Sequence, residues 1–431
     1  MKKAGFGRLI KDTLIYGLGM MSVRLFNFIF LPIISRRLSP KEFAIYDLIF
    51  NSLSLIIPLV TFNIAEAAYR FMLTEENKEN REKIIKNCLV VLIKSIIVVS
   101  VVYMTLRVFV IGDIIFLSFN VYIWCIMAIV NAFLVQLCRA NENSLLYSIN
   151  SITYALITIS SNIITVYVLN LKINGLINSN IVGLGVSNIL LIYLLKLKFN
   201  MKISKDRELM KEMLKYSIPM AVNTINWWIM SVSDRFLSYK FVSVNELGIY
   251  SMANKVVSIL AVIYTVFYLG WQSMSIKVFD KLERDVVYTK VFNGLVTIFM
   301  CIIIMSVFFS DNFVAIFLGE KYYLCYKFVP VLALSMAFQN FASFYGTIYL
   351  SLKSTKTLLY TSILSTIINV SINFVFLRVY GIKAAVISSF LSFFIMWIIR
   401  VIDSRKYIKI NIYIYNYVLF AISLVSFSLL K

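Results

Sequence analysis

The chain of 431 residues has no histidine, and its five cysteines (Cys88, Cys125, Cys138, Cys301 and Cys325) stand apart without any C-x-x-C spacing. A zinc cluster, imidazole acid–base catalysis and a disulfide framework are therefore not expected. Acidic residues are scarce, 21 against 42 Lys and Arg, and only 15% of the chain is charged. Neither G-x-x-x-x-G-K-[ST] nor a D-x-D pair occurs, which argues against a P-loop ATPase and a nucleotide-sugar transferase. The residues call for no catalytic site, no cofactor and no metal.

What the chain has instead is apolar surface. Hydrophobic residues make up 60% of it and the mean hydropathy is +0.85, whereas soluble domains run at about 45–50% apolar. Apolar runs of the length that crosses a bilayer fall at 12–35, 43–66, 85–106, 114–137, 145–169, 175–195, 213–239, 247–275, 289–309, 326–350, 357–377, 381–400 and 411–430. The fold class expected is an all-α polytopic membrane protein with thirteen spans. The first run follows a basic stretch and is too long for a cleavable leader, so it reads as a retained helix.

The net charge of +21 would suggest nucleic acid in a soluble protein. Here it follows topology, and no nucleic-acid partner is expected. With Lys2, Lys3, Arg8 and Lys11 in the cytoplasm, 27 of the 42 basic residues lie inside, 11 outside and 4 within spans, as the positive-inside rule requires. The stretches Lys196 to Lys215 and Arg70 to Lys86 read as anchors on anionic inner-leaflet lipid. Heavy Ile, Lys and Asn usage hints at a bacterial host, and hence at the cytoplasmic membrane.

The chain also repeats itself. Arg36-Arg37-Leu38-Ser39-Pro40-Lys41-Glu42-Phe43-Ala44-Ile45-Tyr46 and Lys240-Phe241-Val242-Ser243-Val244-Asn245-Glu246-Leu247-Gly248-Ile249-Tyr250 match at Ser39/Ser243, Glu42/Glu246, Ile45/Ile249 and Tyr46/Tyr250. Weaker echoes join Leu145-Leu146-Tyr147 to Leu358-Leu359-Tyr360, and Gly175 to Gly381. Ser-x-x-Glu is also a capping box, but capping alone would not align eleven residues twice. Each copy holds an even number of spans, so the copies share one orientation, an arrangement that places substrate between them. The domains expected are a six-helix lobe over 1–200, a basic linker over 201–212, a second six-helix lobe over 213–402 and an additional helix over 403–431.

These residues carry a resemblance over 8–402. Phe30-Leu31-Pro32 with Leu38 to Tyr46, then Leu214-Lys215-Tyr216-Ser217-Ile218-Pro219, Ser233-Asp234-Arg235-Phe236-Leu237, Leu247 to Lys255 and Gly270-Trp271 are, in order and spacing, similar to the polysaccharide export (Wzx-type) flippases of the multidrug/oligosaccharidyl-lipid/polysaccharide (MOP) superfamily. The resemblance implies two MATE-like lobes around a central cavity that carries undecaprenyl-diphosphate-linked oligosaccharide outward for surface polysaccharide such as O-antigen or capsule. It also makes a polysaccharide polymerase a candidate partner. Relatives commonly have twelve or fourteen spans, and thirteen departs from both.

The intramembrane charges fit an anionic headgroup on their own terms. An ionisable group inside a span costs a few kcal/mol unless it is paired or meets water. Arg24, Lys94, Asp234, Arg235 and Lys255 are such groups, and four of the five are cationic. Arg grips a diphosphate with two parallel bonds and Lys holds it as a point charge. Arg24 and Arg235 are the principal candidates, with Lys255 next and Lys94 last. Arg24 reads as roughly 18 Å from the inner face at 1.5 Å per residue, near the midplane and too deep to snorkel. Asp234 and Lys255 lie at similar depth and form a feasible structural pair. Asp234, Asp47 and Glu66 are also candidates for coupling to H⁺ or Na⁺. Tyr46, Tyr250 and Trp271 are either sugar contacts or ordinary packing and belt residues.

Two other classes compete. A cation-coupled multidrug exporter would carry acids in its cavity, and the candidates here are mostly basic. A membrane polysaccharide polymerase would carry its chemistry on a sizeable outer loop, whereas the longest outer loop here, 310–325, has only Asp311 and Glu320 as acids. A lipid II flippase shares the diphosphate and the prenyl chain and stays open.

Overall fold

The computed structural model describes residues 2–109, 115–141, 143–196, 206–352 and 355–427. Among them the chain is helical, with no strand. In order, the helices are α1 (Lys2–Arg37), α2 (Pro40–Thr61), α3 (Ile64–Thr74), α4 (Lys78–Phe109), α5 (Phe119–Ala140), α6 (Ser144–Asn162), α7 (Lys172–Leu194), α8 (Arg207–Phe241), α9 (Val244–Val278), α10 (Arg284–Phe317), α11 (Val329–Ser351), α12 (Thr355–Tyr380), α13 (Ile382–Ser404) and α14 (Ile414–Phe427). Every apolar run read from the sequence falls on one or two of these.

Among the described residues, nine helices are long and apolar enough to cross a membrane, or ten if the short turn Glu320–Lys327 and α11, bent by 53°, count as one span. That is fewer than thirteen, and two of the shortfalls have a physical reason. α8 carries Asn223, Thr224, Asn226, Ser231, Ser233, Asp234, Arg235 and Ser238 through its middle, which lowers its hydropathy. The fourteen residues of α14 reach only about 21 Å against a hydrocarbon core of about 30 Å. The expected crossing over 411–430 runs past α14 into residues outside the described ones, as does the placement of Lys431.

The repeat is visible element by element. An offset of 204 carries the last residue of α1, Arg37, onto the last of α8, Phe241; the first of α2, Pro40, onto the first of α9, Val244; and the last of α3, Thr74, onto the last of α9, Val278. The first copy breaks where the second runs on. Phe62 and Asn63 take left-handed φ values of 50° and 51° between α2 and α3, and the Val60 carbonyl near the break accepts the Ser95 hydroxyl at 2.7 Å.

The chain divides into two compact units, 1–30 with 46–228 and 31–45 with 229–431. In the first, α7 presents Gly175, Ser179, Gly183 and Ser187 at four-residue spacing, the small-residue stripe that lets membrane helices approach closely. All four are buried or nearly so. A Cβ on Gly175 would lie 3.1 Å from the Thr165 carbonyl, and one on Gly183 would run into the Thr158 hydroxyl. Polar side chains join the same seam. Ser187 donates to Asn150 at 2.9 Å, and Asn131 donates to Ser187 and to Asn188, each at 2.9 Å. The inner part of α8 belongs to this unit as well: Trp228 gives its indole N–H to the Asn51 carbonyl at 2.9 Å, and Asn87 exchanges two bonds with the Asp206 backbone.

The second unit is held by aromatics and by one buried guanidinium. Trp271 stacks on Phe344 at 4.8 Å, and Phe338 meets Phe394 edge-on at 4.9 Å and Trp397 at 5.2 Å. Arg400, the last residue of the apolar run at 381–400, is 1% exposed. It donates to the Ala342 carbonyl at 2.7 Å, Thr361 at 3.0 Å and Ser362 at 3.1 Å, tying α11, α12 and α13 together. Asn293 of α10 accepts from Asn416 at 2.7 Å and from the Tyr413 amide at 2.7 Å, which docks the segment leading into α14.

The tip of the α1–α2 hairpin is also part of this unit. Its capping box is formed: the Ser39 amide donates to Glu42 at 2.8 Å and the Glu42 amide donates to Ser39 Oγ at 3.3 Å. In the second copy the Glu246 amide donates to Ser243 Oγ at 3.2 Å. The tip is gripped at Leu38, whose carbonyl accepts the Tyr322 hydroxyl at 3.3 Å, and at Gly248, where a Cβ would run into the Pro40 carbonyl. Backbone cannot yield as a side-chain tip can. We therefore expect Gly248→Ala to destabilise the protein by about 1–3 kcal/mol, the usual cost of overpacking, seen as a lower melting temperature of the purified protein. A melting point unchanged from the parent would show that the hairpin tip does not pack there.

Candidate substrate-binding residues

The structure sorts the charged candidates by unit. In the second unit, Asp234 of α8 is 5% exposed and accepts the hydroxyl of Tyr250, which is fully buried. The same carboxylate accepts the Arg235 amide at 2.9 Å, and the Arg235 guanidinium acts electrostatically on the Tyr250 hydroxyl. Asp234, Arg235 and Tyr250 thus form one cluster, with Ser233 beside it donating to Asn369 at 3.2 Å. Arg235 and Lys255 are both part-exposed.

In the first unit, Arg24 is exposed, and Gly19, five residues before it, packs against Ser148, where a Cβ would lie 2.8 Å from the Ser148 Cα.

Lys94 lies on the exposed face of α4 in a stripe with Ile97, Val98 and Val101, while Asn87, Cys88, Val91 and Ser95 form the buried face.

Asp47 is buried, and Glu66 accepts Gln136 at 2.6 Å. The three aromatics differ from one another. Tyr46 is part-exposed, stacks on Trp124 at 6.0 Å and accepts Asn180 at 3.2 Å. Tyr250 and Trp271 are closed off inside the second unit, the first by Asp234 and the second by Phe344, Tyr288 and a 3.2 Å bond to Thr347. Of the three, Tyr46 alone is part-exposed.

The charges do not follow the repeat. At an offset of 204, Arg24 corresponds to Trp228, Asp234 to Phe30, Arg235 to Leu31 and Lys255 to Asn51. A duplicated scaffold accounts for helices and caps. It does not account for cations present in one copy only.

The fold is shared with solved transporters. An inward-facing multidrug resistance MATE family transporter of the MOP superfamily superposes with a TM-score of 0.69 at 12% identity, over 94% of this chain and 96% of that one. An outward-facing one gives 0.62 at 14% identity over 96% of each chain. A MOP superfamily transporter from Pyrococcus furiosus, described by a reverse polarity of its binding pocket, gives 0.63 at 13% identity over 93% of this chain and 96% of that one. No curated protein matches the sequence. The architecture is the multi-pass helical fold of these transporters. Residues 9–270 match the polysaccharide biosynthesis protein family, and the chain belongs to it; residues 219–375 also match MatE.

The Asp234–Tyr250 bond gives a local test. Removing one partner of a buried bond to a charged group strands the other, at about 1–3 kcal/mol or more. Tyr250→Phe should lower the melting temperature, and Asp234→Asn made in the Tyr250→Phe background should cost less than it does alone. Strict additivity of the two changes would mean that the side chains are not coupled.

Proposed function

We propose that this protein carries a prenyl-diphosphate-linked oligosaccharide from the inner to the outer face of the bacterial cytoplasmic membrane for surface polysaccharide assembly. The observation that carries the reading is the set of intramembrane cations, Arg24, Arg235 and Lys255, absent from the corresponding positions of the other copy. An ionisable group in hydrocarbon is costly unless it is paired or meets water or a ligand, and a guanidinium fork grips phosphate oxygens with two parallel bonds.

Membership of the polysaccharide biosynthesis protein family supports a glycan cargo, and the pocket of reversed polarity in the Pyrococcus relative is a precedent in the superfamily for a cavity unlike that of a cation exporter. In this reading the N-terminus is cytoplasmic, the lobes are 1–200 and 213–402, and the basic stretches rest on anionic lipid. Asp234, Asp47 and Glu66 are the sites for a coupling H⁺ or Na⁺, Tyr46 meets sugar, and a polysaccharide polymerase takes the product outside. The multidrug-exporter alternative draws on the MatE match over 219–375, but it predicts acids where the cations are.

In a host lacking its own flippase and complemented with this chain, Arg24→Ala and Arg235→Ala should each abolish surface glycan while the protein remains in the membrane at normal levels. Arg→Lys at either site should keep part of the activity, because the charge survives and the fork does not. Normal surface glycan with both alanine variants would overturn the reading.

A further inference from the structure

α12 turns its polar side chains inward. Ser362, Ser365, Asn369 and Asn373 are buried, with Ser365 donating to the Ser392 carbonyl at 2.8 Å and Asn373 donating to Asn369 at 3.1 Å. The opposite side is exposed and largely apolar: Tyr360, Leu364, Ile367, Ser371, Phe374 and Arg378 follow one another at three- and four-residue steps, the spacing of a single helix face. A helix on the surface of a soluble domain is patterned the other way round. An exposed apolar face over a polar buried one suits a helix set in lipid. From Tyr360 to Arg378 the stripe covers about 27 Å at 1.5 Å per residue, close to the roughly 30 Å of a hydrocarbon core. Arg378 therefore stands where the hydrocarbon ends, and Tyr380 is exposed nearby at the level that tyrosines favour.

Arg378 has a second cation beside it. Its guanidinium carbon lies 4.8 Å from the centre of the Phe241 ring, and Lys240 Nζ lies 5.7 Å from the same centre. Phe241 closes α8 and meets Phe374 edge-on at 6.2 Å, which puts the cation pair at the head of the apolar stripe. Each cation is attracted to the ring, while the two repel each other. Both are exposed, and neither forms an ion pair among the described residues. Lys383, also exposed, follows across the turn at Gly381. An acid, Glu246, stands at the same turn, its Oε2 3.8 Å from where a Cβ on Gly381 would lie. Three cations against this one carboxylate leave the turn positive. The topology read from the sequence puts this end outside, so the positive-inside rule does not explain the charge. All of these residues belong to the second unit.

A cation pair at the edge of the hydrocarbon, over an exposed apolar stripe, matches one kind of molecule. A soluble anion makes no use of the stripe, and a lipid without net charge gains little from the cations. We propose that Lys240, Phe241 and Arg378 form a headgroup site for an anionic phospholipid, whose phosphate rests between the two cations and whose acyl chains lie along α12. Arg grips two phosphate oxygens at once, and Lys adds a point charge. The bound lipid joins the end of α8 to the end of α12 from outside the helix bundle. This site does not depend on the identity of the cargo.

The test places the full chain in phosphatidylcholine nanodiscs doped with one of two probes, phosphatidylglycerol or phosphatidylcholine, each carrying the same photoactivatable acyl chain. After illumination, labelled peptides are quantified by mass spectrometry. Phosphatidylglycerol should label the α12 segment 360–378 several times more strongly than phosphatidylcholine does. Lys240→Gln and Arg378→Gln should each cut that phosphatidylglycerol label by about fivefold, the scale of one basic residue at an anionic surface. Phosphatidylcholine labelling, and the label on α4, should not change. Arg378→Lys should keep most of the label, because the charge survives. Melting curves matching the parent's establish that each variant is folded, and Lys240→Gln carries the comparison if Arg378→Gln is not. Equal labelling by the two probes in the parent would show an ordinary lipid-facing stripe, leave the cations to an acidic protein partner and overturn the proposal. Phosphatidylglycerol labelling indifferent to both Gln substitutions would overturn it as well.

Discussion

A charge or an open backbone group in hydrocarbon must be answered by a dipole, a counter-charge or water, and the arrangement of this protein follows from how that demand is met. Arg400 is answered entirely by neutral oxygens of three helices, so it is structural. Asp234 is answered by a tyrosine hydroxyl and a backbone amide. Arg24, in the other unit, is exposed. The same residue type thus stands buried in one unit and exposed in the other.

Much of this was legible in the sequence. Apolar runs located the helices, and the match of Ser39 to Tyr46 with Ser243 to Tyr250 located a repeat whose helix ends coincide at a single offset. The capping boxes were legible because they are local chemistry. Hydropathy gives depth along a helix but not rotation about it, so it does not show that Lys94 lies on the exposed stripe of α4, that Trp271 points into an aromatic core or that Arg400 turns inward although it ends a span. The break at Phe62 and Asn63 was illegible because left-handed residues other than glycine leave no compositional mark. The stacking of Arg139 on Tyr69 was illegible because a cation between two spans satisfies the positive-inside rule without further explanation.

The two copies also divide their labour. Gly175 and Gly381 open corresponding helices, yet they are needed for different reasons. Gly381 has a φ of 56°, which favours glycine, while Gly175 admits the Thr165 backbone. A duplicated scaffold kept its helix boundaries while individual positions drifted to separate tasks, and the one-sided cations are the largest such drift. This is the physical content of reading a MOP-superfamily fold as an anion carrier.

The most direct measurement of that claim is translocation in proteoliposomes containing only this protein and a fluorescent prenyl-diphosphate-linked oligosaccharide, with label on the outer leaflet quenched chemically. The account predicts that the protein brings inner-leaflet label within reach of the quencher, and that the same vesicles fail to move ethidium. Ethidium transport without movement of the labelled lipid would contradict it.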